Sequence, residues 1–251
     1  MYYGMYVAAA CAHAQGERLE VINHNIANAG TAGFKRELGV LQARASEAIE
    51  RGMDFSGSRT INDLGGGVAM TQTTTDFTEG PLRETHVDTD MALDRPNSFF
   101  VVEKDGEEFL TRSGNFHFLS TGTLVTDQGY PVLGADGGPI QIDPQLPFSV
   151  SPAGEIVQGG EARPLGIKQP AALGDLVRVG ENLFQTIGEE TAAVPADERR
   201  VHWRHLEMSS VQPHTEMIRM IETSRAYEAN VRMIQNHDNI LGSLLSRVLR
   251  A

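Results

Sequence analysis

The sequence predicts an α+β fold: paired N- and C-terminal heptad helices, coiled-coil-like, with a mainly antiparallel all-β domain inserted between them. Three observations predict it. Residues 5–26 and 213–250 carry residues of a heptad seam, alternately three and four positions apart. Residues 67–208 break into short β-prone runs between turn signals. The 251-residue length leaves room for both a helical part and a β part. The implied division is 1–30 for the N-terminal helix, 31–66 for a connector, 67–208 for the β-rich domain and 209–251 for a C-terminal helix that pairs with the first.

The N-terminal seam is Met5, Ala8, Ala12, Gln15, Leu19, Ile22 and Ile26, polar only at Gln15. Its apolar members before Leu19 are mostly small, so a partner can approach closely. Small side chains bury little area at ~25 cal/mol per Å², and a helix of this kind needs a neighbour to be stable. Asn23, Asn25 and Asn28 then compete with helix hydrogen bonds through their side-chain amides. Gly30 suits a helix C′ position, and Gly33 adds backbone freedom before Phe34, Lys35 and Arg36. The chain turns a corner here. Residues 37–66 read as a connector, extended in part, ending in Gly65-Gly66-Gly67.

In the β region, Ser98–Glu103 and Glu107–Thr111 flank Lys104-Asp105-Gly106, and Asp-Gly between two such runs signals a hairpin. Further short runs follow at Asn115–Leu119, Thr123–Thr126, Tyr130–Leu133 and Ile140–Ile142, with turns at Thr121-Gly122, Asp127-Gln128-Gly129 and Asp136-Gly137-Gly138-Pro139. Strands this short with frequent turns read as antiparallel. Residues 189–200 read as an exposed loop. After Gln212, Pro213 suits the first turn of a helix. The second seam then runs through Met217, Met220, Ser224, Tyr227, Val231, Ile234, Asp238, Leu241, Leu245 and Val248, to an end at Arg250. At ~1.5 Å per residue this helix spans roughly 55 Å, long for a compact domain.

A net charge of −12 and a pI near 5.1 argue against a nucleic-acid surface. Cys11, the only cysteine, rules out an intramolecular disulfide and reads as a small helical side chain. No run approaches the ~20 apolar residues of a bilayer span. The N-terminus lacks the basic start of a cleavable signal peptide. Gly65-Gly66-Gly67 lacks the Gly-Lys-Ser/Thr ending of a phosphate loop. His202 and His205, three apart in a strand, are expected on opposite faces and so not as joint metal ligands. His237 and Asp238 are helix neighbours that point apart. Carboxylates such as Asp88, Asp90, Asp94, Glu107, Glu108 and Asp127 read as a solvated surface, although a glycan- or ligand-binding β-domain on a helical stalk remains an alternative. No catalytic residue, metal site or cofactor is expected, and the chain reads as an assembly protein, not an enzyme.

Ala27-Asn28-Ala29-Gly30-Thr31-Ala32-Gly33-Phe34-Lys35-Arg36 resembles the amino-terminal signature of the bacterial flagellar rod and hook proteins, and Leu19–Ile26 resembles the helix before it. Leu206–Pro213 and Glu216–Asn230 resemble that family's carboxy-terminal signature. Phe99–Val102, Leu110–Phe116 and Leu124–Gly134 resemble the β-domain of the rod members. The likeness spans nearly the whole chain in order. Thr75–Leu82 and the stretch from Met233 to Arg250 look more like the proximal rod type than the distal one. The chain departs from the family at Thr85–Asp90, where Asn-Pro is usual before the Asp. It departs again at Asp94–Ser98, where glycines usually precede the Phe-Phe pair, so that loop needs another turn.

The resemblance implies a structural subunit of the flagellar basal-body rod, in the periplasmic space. It implies export through the flagellar type III apparatus without a cleaved signal peptide, and helical assembly with other rod subunits and adjoining axial proteins into the drive shaft for swimming. Neither nucleic acid nor a membrane span belongs to this picture. The candidate assembly residues are Asn25, Asn28, Thr31, Gly33, Phe34 and Lys35 at the corner, and Met217, Met220, Tyr227, Val231, Ile234, Leu241 and Leu245 on the second seam.

Overall fold

A computed structural model describes residues 2–60, 63, 65–188 and 191–248. The end of the predicted C-terminal helix at Leu249-Arg250, three connector positions and two positions of the predicted 189–200 loop lie outside the described residues. The chain is α+β. It begins with α1 (Tyr2–Ala27), β1 (Arg36–Arg44), the one-turn α2 (Glu47–Glu50) and β2 (Gly67–Asp76). Then come β3 (Leu82–Glu84), β4 (Met91–Leu93), β5 (Phe99–Lys104), β6 (Glu107–Thr111), β7 (Phe116–Phe118) and β8 (Leu124–Thr126). Next are β9 (Ser149–Val150), β10 (Glu155–Gln158), β11 (Glu161–Pro164), β12 (Ile167–Gln169), β13 (Leu176–Gly180), β14 (Leu183–Thr186) and β15 (Ala192–Ala193). Last are β16 (Val201–Trp203), β17 (His205–Glu207) and α3 (Pro213–Val248).

The chain divides into two compact units. The helical unit combines residues up to Ala27, Glu37–Thr75 and residues from Gln212 on. The β unit combines Asn28–Arg36 with Asp76–Val211. The corner after α1 therefore belongs with the strands, and the connector with the helices.

In the helical unit, α1 packs along α3, and β1 and β2 pair as a two-stranded ribbon beside α1. Small residues set this packing. A Cβ on Gly67 would lie 3.2 Å from Ala10 Cβ, and one on Gly39 would lie 2.8 Å from Met70 Sδ. Ala8, Ala12, Ala14, Val21 and Ile22 are buried on α1. Its predicted seam supplies Ala8, Ala12 and Ile22. Ala14 and Val21 form a second buried face, because the ribbon takes up a side that heptad spacing leaves open. Tyr3 donates its hydroxyl to the Gly65 carbonyl.

The β unit is built on a six-stranded antiparallel sheet in the order β13-β14-β6-β5-β12-β15. Its centre, β5, is buried on both faces. Phe99 and Val101 join Phe77, Leu110, Leu133 and Phe184 on one side. Phe100 and Val102 join Met91, Phe116, Leu124 and Ile156 on the other. The β5–β6 hairpin turns at Asp105-Gly106, both in the left-handed region (φ 55° and 82°), with Lys104 opposite Glu107. That is the type I′ geometry Asp-Gly favours.

Candidate assembly surface and the corner of the β unit

The helical unit turns apolar side chains outward. On α3, the buried residues are Glu216 and Thr223. Met217, Ile218, Ile221, Met233, Ile240, Leu245 and Val248 are each about half exposed or more, with Leu245 at 63%. The expected seam is thus only partly the buried face. Met220, Val231, Ile234 and Leu241 are half-buried, while Met217, Tyr227 and Leu245 are exposed. The buried face is rotated toward Glu216 and Thr223. A Cβ on Gly4 would lie 3.0 Å from His237 Nε2, so His237 also faces α1. Leu38 and Val40 on β1, and Met53 and Phe55 beyond α2, extend the exposed apolar surface of this unit. Asn25 is 1% exposed. Its amide accepts from the Glu37 N–H (2.9 Å) and donates to the Glu37 carbonyl (2.7 Å), tying the end of α1 to β1.

The remaining corner residues lie in the β unit. The left-handed backbone expected at Gly30 falls at Gly33 instead (φ 66°). A Cβ there would stand 2.4 Å from the Arg112 carbonyl carbon, so two requirements for glycine coincide. Asn28 and Thr31 form the turn before it: the Thr31 N–H donates to the Asn28 carbonyl at 3.1 Å, and its hydroxyl to Asn28 Oδ1 at 3.3 Å. Gly33 N–H donates to the Glu207 carbonyl (2.7 Å), Ser210 N–H to the Phe34 carbonyl (3.1 Å), and Arg36 N–H to Ser210 Oγ (3.1 Å). Phe34 is 2% exposed, with the Arg178 guanidinium 4.4 Å from its ring centroid. Arg178 also donates to the Lys35 carbonyl at 2.7 Å, and Asn182 to the Ala32 carbonyl at 2.9 Å.

Lys35 is fully buried, so the side chain expected to contact a partner makes its contacts inside its own chain. Its Nζ donates to Glu207 Oε1 (2.6 Å) and the Thr78 carbonyl (2.9 Å). The Gly80 N–H donates to the same carboxylate oxygen at 3.0 Å. Glu207 Oε2 sits 2.9 Å from Arg112 Nε, a charge contact whose angle misses that of a hydrogen bond. Arg112 Nη1 donates to the carbonyls of Ser98 (2.6 Å) and Arg95 (2.5 Å). Burial lowers the Lys35 pKa; Glu207 opposes the shift and Arg112 adds to it.

The unusual Asp94–Ser98 loop closes as a turn, Ser98 N–H to the Arg95 carbonyl at 3.2 Å, and thereby offers Arg112 both carbonyls. Sequence reasoning missed Arg112, Glu207, Arg178 and Asn182. The available signal was charge within apolar context, as in Phe109-Leu110-Thr111-Arg112.

His202 and His205 are not on opposite faces. Arg204 adopts φ 60° between β16 and β17, and the two rings lie 5.7 Å apart. Among the described residues no group of three or more His, Cys, Asp or Glu side chains is arranged to hold a metal ion, and no described helix is long and apolar enough to cross a membrane.

Two family models match the chain, one in the β unit and one at its C-terminal end. Residues 96–158 match the flagellar hook protein FlgE/F/G D1 domain, and residues 204–247 match the C-terminal region of the flagellar basal body rod FlgEFG proteins. The chain is 34% identical to the flagellar basal-body rod protein FlgF of Caulobacter vibrioides over 97% of each chain. It is 29% identical to FlgG of Borreliella burgdorferi over 96% of this chain and 97% of that one. It is 31% identical to FlgG of Bacillus subtilis over 91% and 92%. The chain belongs to the flagellar basal-body rod protein family.

Proposed function

We propose that the protein is a structural subunit of the proximal rod, held to its neighbours through the helical unit. The observation that carries this reading is the row of exposed apolar side chains on α3 within a chain of this family. Full burial of one such side chain contributes ~1.5–3 kcal/mol. Several together offset part of the translational and ordering cost of association. The seam residues that stay exposed, Met217, Leu245 and the open part of Tyr227, would then pack in coiled-coil fashion against helices of adjoining subunits. The division into terminal helices, connector and β-rich domain would serve this, with the helices as the paired elements.

Asn25, Asn28, Thr31, Gly33, Phe34 and Lys35 would support assembly indirectly, by fixing the corner from which the chain leaves the strands. Subunits related by a helical operator make contacts that do not close, which gives a filament. The partners would be other rod subunits and adjoining axial proteins. The place would be the periplasmic part of the basal body, reached through the type III apparatus without a cleaved leader. The role is mechanical, with no catalytic step.

The similarity to FlgG relatives favours a second placement, in the distal rod. A map of purified basal bodies separates the two: density for this chain next to the membrane-embedded base supports the proximal position, and density next to the hook supports the distal one. Absence of the chain from the rod overturns both.

A further inference from the structure

We propose that residues 31–36 are a strap that seats after the β core has formed, and that insertion of Lys35 beside Arg112 and the Gly80 N–H on Glu207 completes the buried charge cluster and closes the β unit. The strap stands outside the apolar core. None of its residues, Phe34 included, belongs to either cluster around β5. The central sheet has two local hairpins to start from, β5 with β6 and β13 with β14, and its other pairings, such as β14 with β6 and β12 with β5, close shorter spans than the strap does. The strap instead requires a contact across 172 residues, from Lys35 to Glu207. Long closures of this kind lose entropy before any contact forms, so they come late.

Beside the buried Phe34 ring, what holds the strap is charge and hydrogen bonding. Glu207 gathers Lys35, Arg112 and the Gly80 N–H, from three different parts of the chain. Two cations share one carboxylate there, and a buried charge that loses its partner is costly. An empty strap position leaves Glu207 with Arg112 and the Gly80 N–H but without its second cation, and invites water. The cluster is therefore stable when complete and locally open when it is not.

Seating has a consequence for the ends of the unit. Phe34 and Ser210 become hydrogen-bonded neighbours only when the strap is in place. These are the points from which the chain continues to α1 and to α3. Given the rod reading, a subunit whose strap is open is one whose two helical ends are not yet brought together.

Residue-resolved hydrogen exchange on the full chain tests this without reference to motility, so its failure is distinct from failure of the rod reading. The strap probes are the amides of Gly33, Arg36 and Ser210; the core probes are those of Val101 and Leu133. Lys35→Met is expected to speed strap exchange at least about tenfold while the core probes change less than about twofold. Unchanged strap rates, or equal acceleration of strap and core, overturn the proposal. Should Lys35→Met not fold, the wild type decides. Strap amides opening at least about tenfold more often than core amides support the proposal, and equal protection overturns it.

Discussion

The two units solve opposite problems. The β unit carries 22 acidic and 12 basic residues and buries most of its large apolar side chains, leaving scattered ones such as Leu146 and Ile187 in solvent. The helical unit is near balance, with 11 acidic and 9 basic residues, and leaves Met217, Ile218, Ile221, Met233, Ile240 and Leu245 in solvent. Each also inverts the usual placement of polarity at one place. The β unit buries Lys35, Arg112 and Glu207 together, whereas α3 buries Glu216 and Thr223 and exposes Met217, Met233, Ile218, Ile221 and Ile240. A unit that covers its own core is complete as a single chain. One that does not is finished by something else, since exposed apolar rows of this length mark interaction surfaces.

The sharpest break of this contrast is at Gly33. Gly33→Val sets a branched side chain at positive φ against the Arg112 backbone. It is expected to cost the β unit more than about 4 kcal/mol, the range of severe backbone and packing conflicts. Trp203, the only tryptophan, lies in this unit and reports its urea transition. A midpoint equal to wild type would mean that residues 31–36 are not seated there. The sequence alone points to a different outcome, a folded β domain with failed assembly, because Gly33 looks like part of the helix corner. Its place within the β unit makes folding the first thing the change damages.

Asn25→Ala is the matching change in the helical unit. It removes two hydrogen bonds that join α1 to β1 and leaves the Glu37 N–H and carbonyl without them. The expected loss is roughly 1–3 kcal/mol, set by desolvated backbone groups. Helical circular dichroism during urea unfolding measures it, and exchange at the Glu37 amide localises it. A shift below about 0.3 kcal/mol would show that water replaces the side chain without penalty.

A smaller effect separates the charge cluster from the apolar core. The folded Lys35 has a pKa below its unfolded value, so the unfolded chain binds more protons between the two. Stability contributed by this group therefore rises with pH from the folded pKa up to about 10.5, the usual lysine value. Lys35→Met should flatten that rise. Subtracting its urea midpoints from those of wild type across pH 7 to 10 isolates the slope; a difference that falls with pH contradicts the sign.

What was legible in the sequence follows from range. Heptad spacing marks α1 and α3, Pro213 starts α3 as the sequence suggests, and Asp105-Gly106 marks its hairpin, because each depends on residues near one another. The α3 face turned inward was not legible. Spacing gives the period, but which side is buried depends on packing against α1, more than 180 positions away. β1 was legible only as part of an extended connector, because the apolar residues Leu38, Val40 and Leu41 do not alternate with polar ones as in a half-buried strand. The cluster of Lys35, Arg112 and Glu207 was hidden for the same reason as the α3 face: no local rule links residues that far apart.

The smallest expected effect on the isolated chain is also the most direct probe of the exposed row. Met233 is 52% exposed on α3. Methionine and glutamate have similar helix propensities. Met233→Glu should change the stability of the purified chain by no more than about 0.5 kcal/mol, as surface substitutions do. At an interface the same carboxylate is desolvated without a partner, a cost of several kcal/mol. Cells carrying Met233→Glu should therefore fold the protein and fail to swim. The contrasting change is Thr223→Glu, which places the charge on the face that the chain itself buries, so it should lower the helical midpoint before any assembly occurs. Normal swimming with Met233→Glu would remove this position from the interface. A loss of swimming that tracks lost stability in both variants would mean that α3 acts through its own unit and not through a neighbour.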